Sequence, residues 1–251
     1  MTAPALATMG LTKNFGALKV TQDVRFELPA GGRHALIGPN GAGKTTFINL
    51  LTGMLSPDSG SIALDGKTIT GLPPQARVKR GLARTYQINT LFPDLTPLEA
   101  VTLAMCERRG LSRQWFMPLA RRKAVIDEAH ALLVQLGIGE QARRLTRHLA
   151  YGHQRVLEIA LALATRPHVL LLDEPAAGVP AQESGILYEV ISALPTEIAV
   201  LFIEHDMDLV FRFASRITVL VSGRVLCEGP PAQIADDPEV RAVYLGTAVH
   251  G

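Results

Sequence analysis

Apolar spacing changes character three times along the chain. Residues 6–11 and 20–28 have strand-like patterning, and the second run closes at Pro29-Ala30-Gly31-Gly32, a turn sequence. Arg33–Ile37 ends in an apolar run, and residues 46–51 read as a helix. A turn-rich passage, 53–60, leads into a short strand at 61–66. From Leu95 the texture becomes helical. Thr96-Pro97-Leu98-Glu99 has capping-box order, with Pro at the first helical position. Residues 120–136 form an amphipathic helix ended by Gly137 in the C′ position. Between these helices, 110–118 reads as a loop holding Trp115, the only tryptophan. An apolar helix follows at Val156–Ala164. Val169–Leu172 and Ala199–Ile203 are unbroken apolar runs, as expected of strands covered on both faces. Residues 216–221 add a strand, and 229–245 a helical tail entered through Pro230-Pro231. The pattern predicts an α/β core, a β-rich N-terminal portion and an inserted helical segment.

Composition narrows this little. The 251 residues are 47% hydrophobic and 19% charged, which suits one large domain with a sizeable core. No apolar run reaches the roughly 18–20 residues of a membrane span, and the N-terminus lacks a secretory pattern. Cys106 and Cys227 match no metal or redox spacing, so a cytosolic, reduced protein is expected. A net charge of +2 gives no argument for nucleic acid. Basic residues do gather at Arg77, Lys79, Arg80 and Arg84, and at Arg108, Arg109, Arg113, Arg121, Arg122 and Lys123. They are either solvated helix faces or a surface for acidic lipid headgroups or an acidic partner.

Gly38-Pro39-Asn40-Gly41-Ala42-Gly43-Lys44-Thr45-Thr46 sets the chemistry. It contains G-x-x-x-x-G-K-[ST] between a strand-like run and a helix, the context of a phosphate-binding loop. Its glycines let backbone N–H groups curl around an anion, and the helix N-terminus adds a favourable dipole. Lys44 supplies a point charge for the β- and γ-phosphates, and Thr45 a hydroxyl for Mg²⁺. ATP or GTP is the implied ligand. Leu170-Leu171-Leu172-Asp173-Glu174 is a Walker B pattern, an apolar strand ending in two carboxylates. Asp173 is positioned to hold Mg²⁺, directly or through water, and Glu174 to polarise a water aimed at the γ-phosphate. An Asn-Lys-x-Asp base-reading motif, which a GTPase would need, is absent from the sequence.

Leu149-Ala150-Tyr151-Gly152-His153-Gln154-Arg155 precedes the apolar helix. With the two motifs above, and with Gln87 and His205 in order, the chain resembles the ATP-binding subunits of ABC transporters over nearly its whole length. The resemblance implies that Gln87 is the Q-loop glutamine and a Mg²⁺ ligand, His205 the switch histidine, and Phe15 the aromatic that stacks on adenine. Ala150, Tyr151, Gly152 and His153 fall in the signature. Gly81–Gln87, Leu91–Thr96, Tyr151–Gln154, Asp173–Gly178 and Glu204–Met207 look like the branched-chain amino acid importers.

That resemblance implies one ABC-type P-loop cassette over 1–251, with a catalytic core at 1–87 and 161–251 and a helical subdomain at 88–160. It implies a head-to-tail pair of ATP-binding subunits, identical or different, with each ATP between one phosphate loop and the opposite signature. Further partners are membrane permease subunits and, indirectly, a solute-binding protein. The place is the cytoplasmic face of the inner membrane, and no nucleic acid is expected. The alternatives are a soluble ABC ATPase acting on nucleic acid or ribosomes, or an exporter ATPase. One cassette without a long coiled-coil insertion speaks against the former, and the branch-like motifs against the latter. Two departures stand out. Ala150 replaces the usual serine of the signature, and Pro180 stands where relatives carry Asp or Asn. The composite site that uses this signature is therefore expected to turn over more slowly.

Overall fold

The computed structural model describes residues 3–85, 91–111, 121–180 and 182–247, with side chains as far as 243. In chain order the first elements are β1 (Leu6–Phe15), β2 (Leu18–Leu28), β3 (Arg33–Ile37), α1 (Lys44–Thr52), β4 (Ser59–Leu64), β5 (Lys67–Thr68), α2 (Pro74–Val78) and β6 (Leu82–Arg84). Next come α3 (Pro97–Arg108), α4 (Lys123–Gln135), α5 (Tyr151–Ala164), β7 (Val169–Asp173) and α6 (Ser184–Ser192). The chain continues through β8 (Ala199–Ile203), α7 (Met207–Phe213), β9 (Arg216–Val221), β10 (Arg224–Gly229), α8 (Pro231–Asp236) and α9 (Pro238–Thr247). Two compact units result. The first comprises Met1–Leu82, His168–Glu174 and Pro195–Gly251, and the second Ala83–Pro167 and Pro175–Leu194.

The first unit is built on two sheets. One contains the strands in the order β10-β9-β3-β8-β7, and the other has the order β2-β1-β4-β5. β3 pairs in parallel with both β8 and β9, and β7 with β8. These strands are buried along almost their whole length, which explains their unbroken apolar runs. The second sheet is antiparallel and one-sided. In β2, Val24, Phe26 and Leu28 are buried while Arg25 and Glu27 between them face water. Phe26, Phe47, Leu50, Leu51, Leu171 and Leu201 belong to one core that joins both sheets to α1. Each large apolar side chain buried there contributes about 1.5–3 kcal/mol.

Arg77 corrects its reading as part of a surface basic cluster. It is 1% exposed, and its guanidinium donates to Leu50 O and Leu51 O at 2.7 Å each, Thr70 O at 2.6 Å and Leu72 O at 2.9 Å. The carbonyls at the C-terminal end of α1 would otherwise be buried without partners. A planar five-donor cation satisfies several at once and complements the negative end of the helix dipole.

The second unit is helical. α3 packs on α4 and α5, and α5 on α6. Val125, Ala129 and Leu133 form the buried stripe of α4 at four-residue spacing. The capping box at Thr96 is complete. Thr96 Oγ1 accepts from the Glu99 N–H at 3.2 Å, and Glu99 Oε2 accepts from the Thr96 N–H at 2.8 Å. Gly137 follows α4 with φ of 75°, the left-handed conformation expected at C′. Several bounds differ from those expected of the sequence. α5 begins at Tyr151 rather than Val156, the 229–245 tail is two helices split at Asp237-Pro238, and α6 lies in the helical unit through its packing on α5. The split has a local cause, since Pro238 has no N–H to continue a helix.

Candidate active site

In the first unit the phosphate-binding loop joins the buried strand β3 to α1. Gly43 is the N-cap of α1 with φ of 101°, and a Cβ there would stand 2.5 Å from Val20 O, so glycine is required by both conformation and space. The helix start has neither an acidic residue in its first turn nor a side-chain cap. Its positive end is thus left for an anion. Lys44 opens α1 and folds back, its Nζ donating to Gly38 O at 2.6 Å and Pro39 O at 3.0 Å. Burial lowers the Lys44 pKa, and the Glu174 carboxylate opposes that shift.

β7 and β8 run in parallel register with Asp173 opposite Ile203, and the Glu174 N–H bonds to Ile203 O at 3.0 Å. Glu174 adopts φ of 48°, a left-handed conformation that costs a non-glycine residue about 1–2 kcal/mol. His205 follows β8, and its Nε2 lies 3.0 Å from Glu174 Oε1. The loop from Asn40 to Thr46, with Val20, Glu174 and His205, lines an open cleft of about 240 Å³. The structure therefore brings Lys44, Thr45, Thr46, Glu174 and His205 to one place. Phe15, at the end of β1, is 48% exposed, with Lys13 Nζ 5.8 Å from its ring centroid. Gln87 lies outside the described residues.

Ala150–His153 belong to the second unit. Ala150 is the N-cap of α5, without a side-chain hydrogen bond. The Gly152 N–H donates to Glu183 Oε2 at 2.6 Å, a partner that sequence reasoning missed. The signal available was the alanine at position 150, which leaves the helix start open to another acceptor. Ala177 O accepts from Arg155 Nη2 at 3.0 Å and from the Tyr151 hydroxyl at 3.3 Å. Arg155 Nη1 also donates to the buried Glu158 at 3.0 Å. Burial raises the Glu158 carboxyl to about 7 despite that guanidinium.

A phosphate-binding loop beside a carboxylate–histidine pair, on a parallel sheet, defines a P-loop nucleoside triphosphatase. A family model described as ABC transporter matches residues 21–177, and one described as branched-chain amino acid ATP-binding cassette transporter matches residues 224–250. The chain is 40% identical over 258 residues to the high-affinity branched-chain amino acid transport ATP-binding protein BraF of Pseudomonas aeruginosa, covering 99% of this chain and 100% of that protein. It is 40% identical over 255 residues to LivG of Escherichia coli, a protein of the same description, with the same two coverages. Among solved structures, the ADP conformation of MJ1267, an ATP-binding cassette of an ABC transporter, matches with a TM-score of 0.84 and 28% identity. That match covers 98% of this chain and 100% of the other. The chain belongs to the ABC transporter family, as an ATP-binding and ATP-hydrolysing subunit. Among the described residues no helix is long and apolar enough to cross a membrane.

Proposed function

We propose that this ATPase powers the import of branched-chain or other hydrophobic amino acids, docked on permease subunits at the cytoplasmic face of the inner membrane. The names of BraF and LivG and the match at residues 224–250 support the cargo. For the site, the observation that carries the reading is the 3.0 Å pair of Glu174 and His205 on the wall of the cleft that the phosphate-binding loop lines.

In this reading Phe15 stacks on adenine, and the loop amides of Gly38–Thr46 and Lys44 hold the phosphates. Lys44 exchanges its loop carbonyls for β- and γ-phosphate oxygens when ATP enters. The Thr45 hydroxyl and Asp173 carboxylate are hard oxygen donors suited to Mg²⁺, with Gln87 as a further ligand. When bound, Mg²⁺ neutralises charge along the phosphates. Glu174 takes a proton from water as its oxygen bonds to the γ-phosphorus. The bond from that phosphorus to the β–γ bridging oxygen breaks, giving ADP and phosphate. His205 orients Glu174 and hydrogen-bonds the γ-phosphate.

Ala150, Tyr151, Gly152 and His153 serve the ATP of a second ATP-binding subunit, so that ATP binds two subunits head to tail and hydrolysis separates them. Closure and release switch the permease pair, and a solute-binding protein delivers the cargo. The test is a mild-detergent pull-down of the tagged chain from its native membranes. Recovery of a polytopic permease pair with a second, similar ATPase is the expected result. A chain that stays unassociated, or arrives with ribosomes or DNA, overturns the reading.

A further inference from the structure

The start of α5 already holds an anion supplied by the chain itself. Ala150 offers no side-chain acceptor, and the first turn of α5 has no acidic residue. Glu183 fills that place, its Oε2 accepting from the Gly152 N–H at 2.6 Å. The approach depends on glycine, since a Cβ at position 152 would stand 3.0 Å from Glu183 Cβ and 3.1 Å from its Oε2. Glu183 is itself anchored. Its N–H donates to Pro180 O at 2.8 Å, where the chain turns into α6. Five residues upstream of Gln182, Ala177 O is tied to α5 through Arg155 and Tyr151. All these groups lie in the second unit.

We infer that Glu183 is an internal stand-in for phosphate: without the partner's nucleotide it occupies the signature amide that the partner-held γ-phosphate takes on closure. The inference rests on the head-to-tail reading above and adds a regulatory residue to it. One N–H makes one strong hydrogen bond, so the carboxylate must leave before the phosphate can use it. The displaced carboxylate stays tethered nearby and repels the incoming anion. Both effects raise the ATP concentration at which the subunits close. A serine at position 150 would offer a second donor to the phosphate; alanine leaves the amide as the contested group.

The test uses the full chain in a Glu174→Gln background, which leaves bound ATP unhydrolysed, mixed with the second ATP-binding subunit recovered from membranes. Association is followed by sedimentation as Mg-ATP is raised, and ATP binding to the chain alone is titrated in parallel. Glu183→Gln keeps the shape of the side chain and replaces a charged acceptor with a neutral one. Glu183→Ala removes the acceptor, and the melting temperature of each variant reports folding. The expected result is association at about fivefold to tenfold less ATP for both variants, with binding to the chain alone unchanged. A merely structural role has the opposite sign, because a loosened loop weakens association. Association at the same or higher ATP in the folded Glu183→Gln chain overturns the inference and leaves the head-to-tail reading standing. ATP binding without association in any chain, Glu183 or variant, overturns the head-to-tail reading and the inference with it.

Discussion

The starts of α1 and α5 pose one physical problem and solve it in different ways. Both lack a capping side chain and an acidic first turn. Both therefore present unsatisfied N–H groups and the positive end of a dipole. At α1 the glycine loop is open, and the cation Lys44 is parked on Gly38 O and Pro39 O. At α5 Glu183 already bonds the Gly152 N–H. A missing cap thus has two meanings. One helix end leaves its amides without a side-chain cap, and the other covers one of them with a carboxylate from its own unit. α3 supplies the ordinary case, an end closed for stability by Thr96 and Glu99.

The comparison breaks most severely at Arg155, which supports the covered end by joining α5 to Ala177 O while pairing with Glu158. Arg155→Ala removes the hydrogen bonds to Ala177 O and Glu158 and lowers stability by about 1–3 kcal/mol, measured by denaturant unfolding. The double change Arg155→Met with Glu158→Leu loses less than Arg155→Ala alone. Next in size is Lys44→Ala at the open end, which weakens ATP binding about 100-fold by calorimetry while leaving the melting temperature close to that of the parent. At the ordinary end, Thr96→Ala costs about 1 kcal/mol of unfolding free energy and does not change ATP affinity. Ala150→Ser gives α5 a cap and raises stability by up to about 1 kcal/mol. In the assembled transporter it also raises turnover; unchanged turnover removes Ala150 as the cause of a slower composite site.

A further effect is in pH. Glu158 has its folded pKa raised from 4.5 to about 7, mainly by burial. Its contribution is therefore whole below about 4.5 and lost as the pH rises through about 7, because the unfolded carboxyl ionises first. Glu158→Gln removes that loss. The melting temperature of the parent should fall relative to the variant between pH 5 and pH 8, and parallel curves contradict the assignment.

The sequence exposed those parts of the molecule whose physics is local. The glycine loop, the carboxylates after a fully apolar strand, and the Thr96–Glu99 box each declare themselves within a few residues. The short strands β5 and β6 and the edge strand β10 did not, because two to six residues carry too little periodicity. The buried position of Arg77 was hidden for another reason: its partners are carbonyls of α1 some 26 and 27 residues away. Composition reads it as surface charge. Glu183 was illegible in the same way, 31 residues from the amide it binds. The start of α5 was placed late because Tyr151–Arg155 are polar, although their helix is held from outside by Ala177 O and Glu183.

The central claim is that the open and covered helix ends are two halves of one ATP site, contributed by different subunits. Hydrogen exchange on the assembled transporter, in the Glu174→Gln background with and without Mg-ATP, tests it most directly. ATP is expected to slow exchange in peptides covering both residues 40–46 and residues 149–155, and the second effect is expected to disappear when the chain is measured alone. Protection confined to residues 40–46 in the full assembly would contradict it.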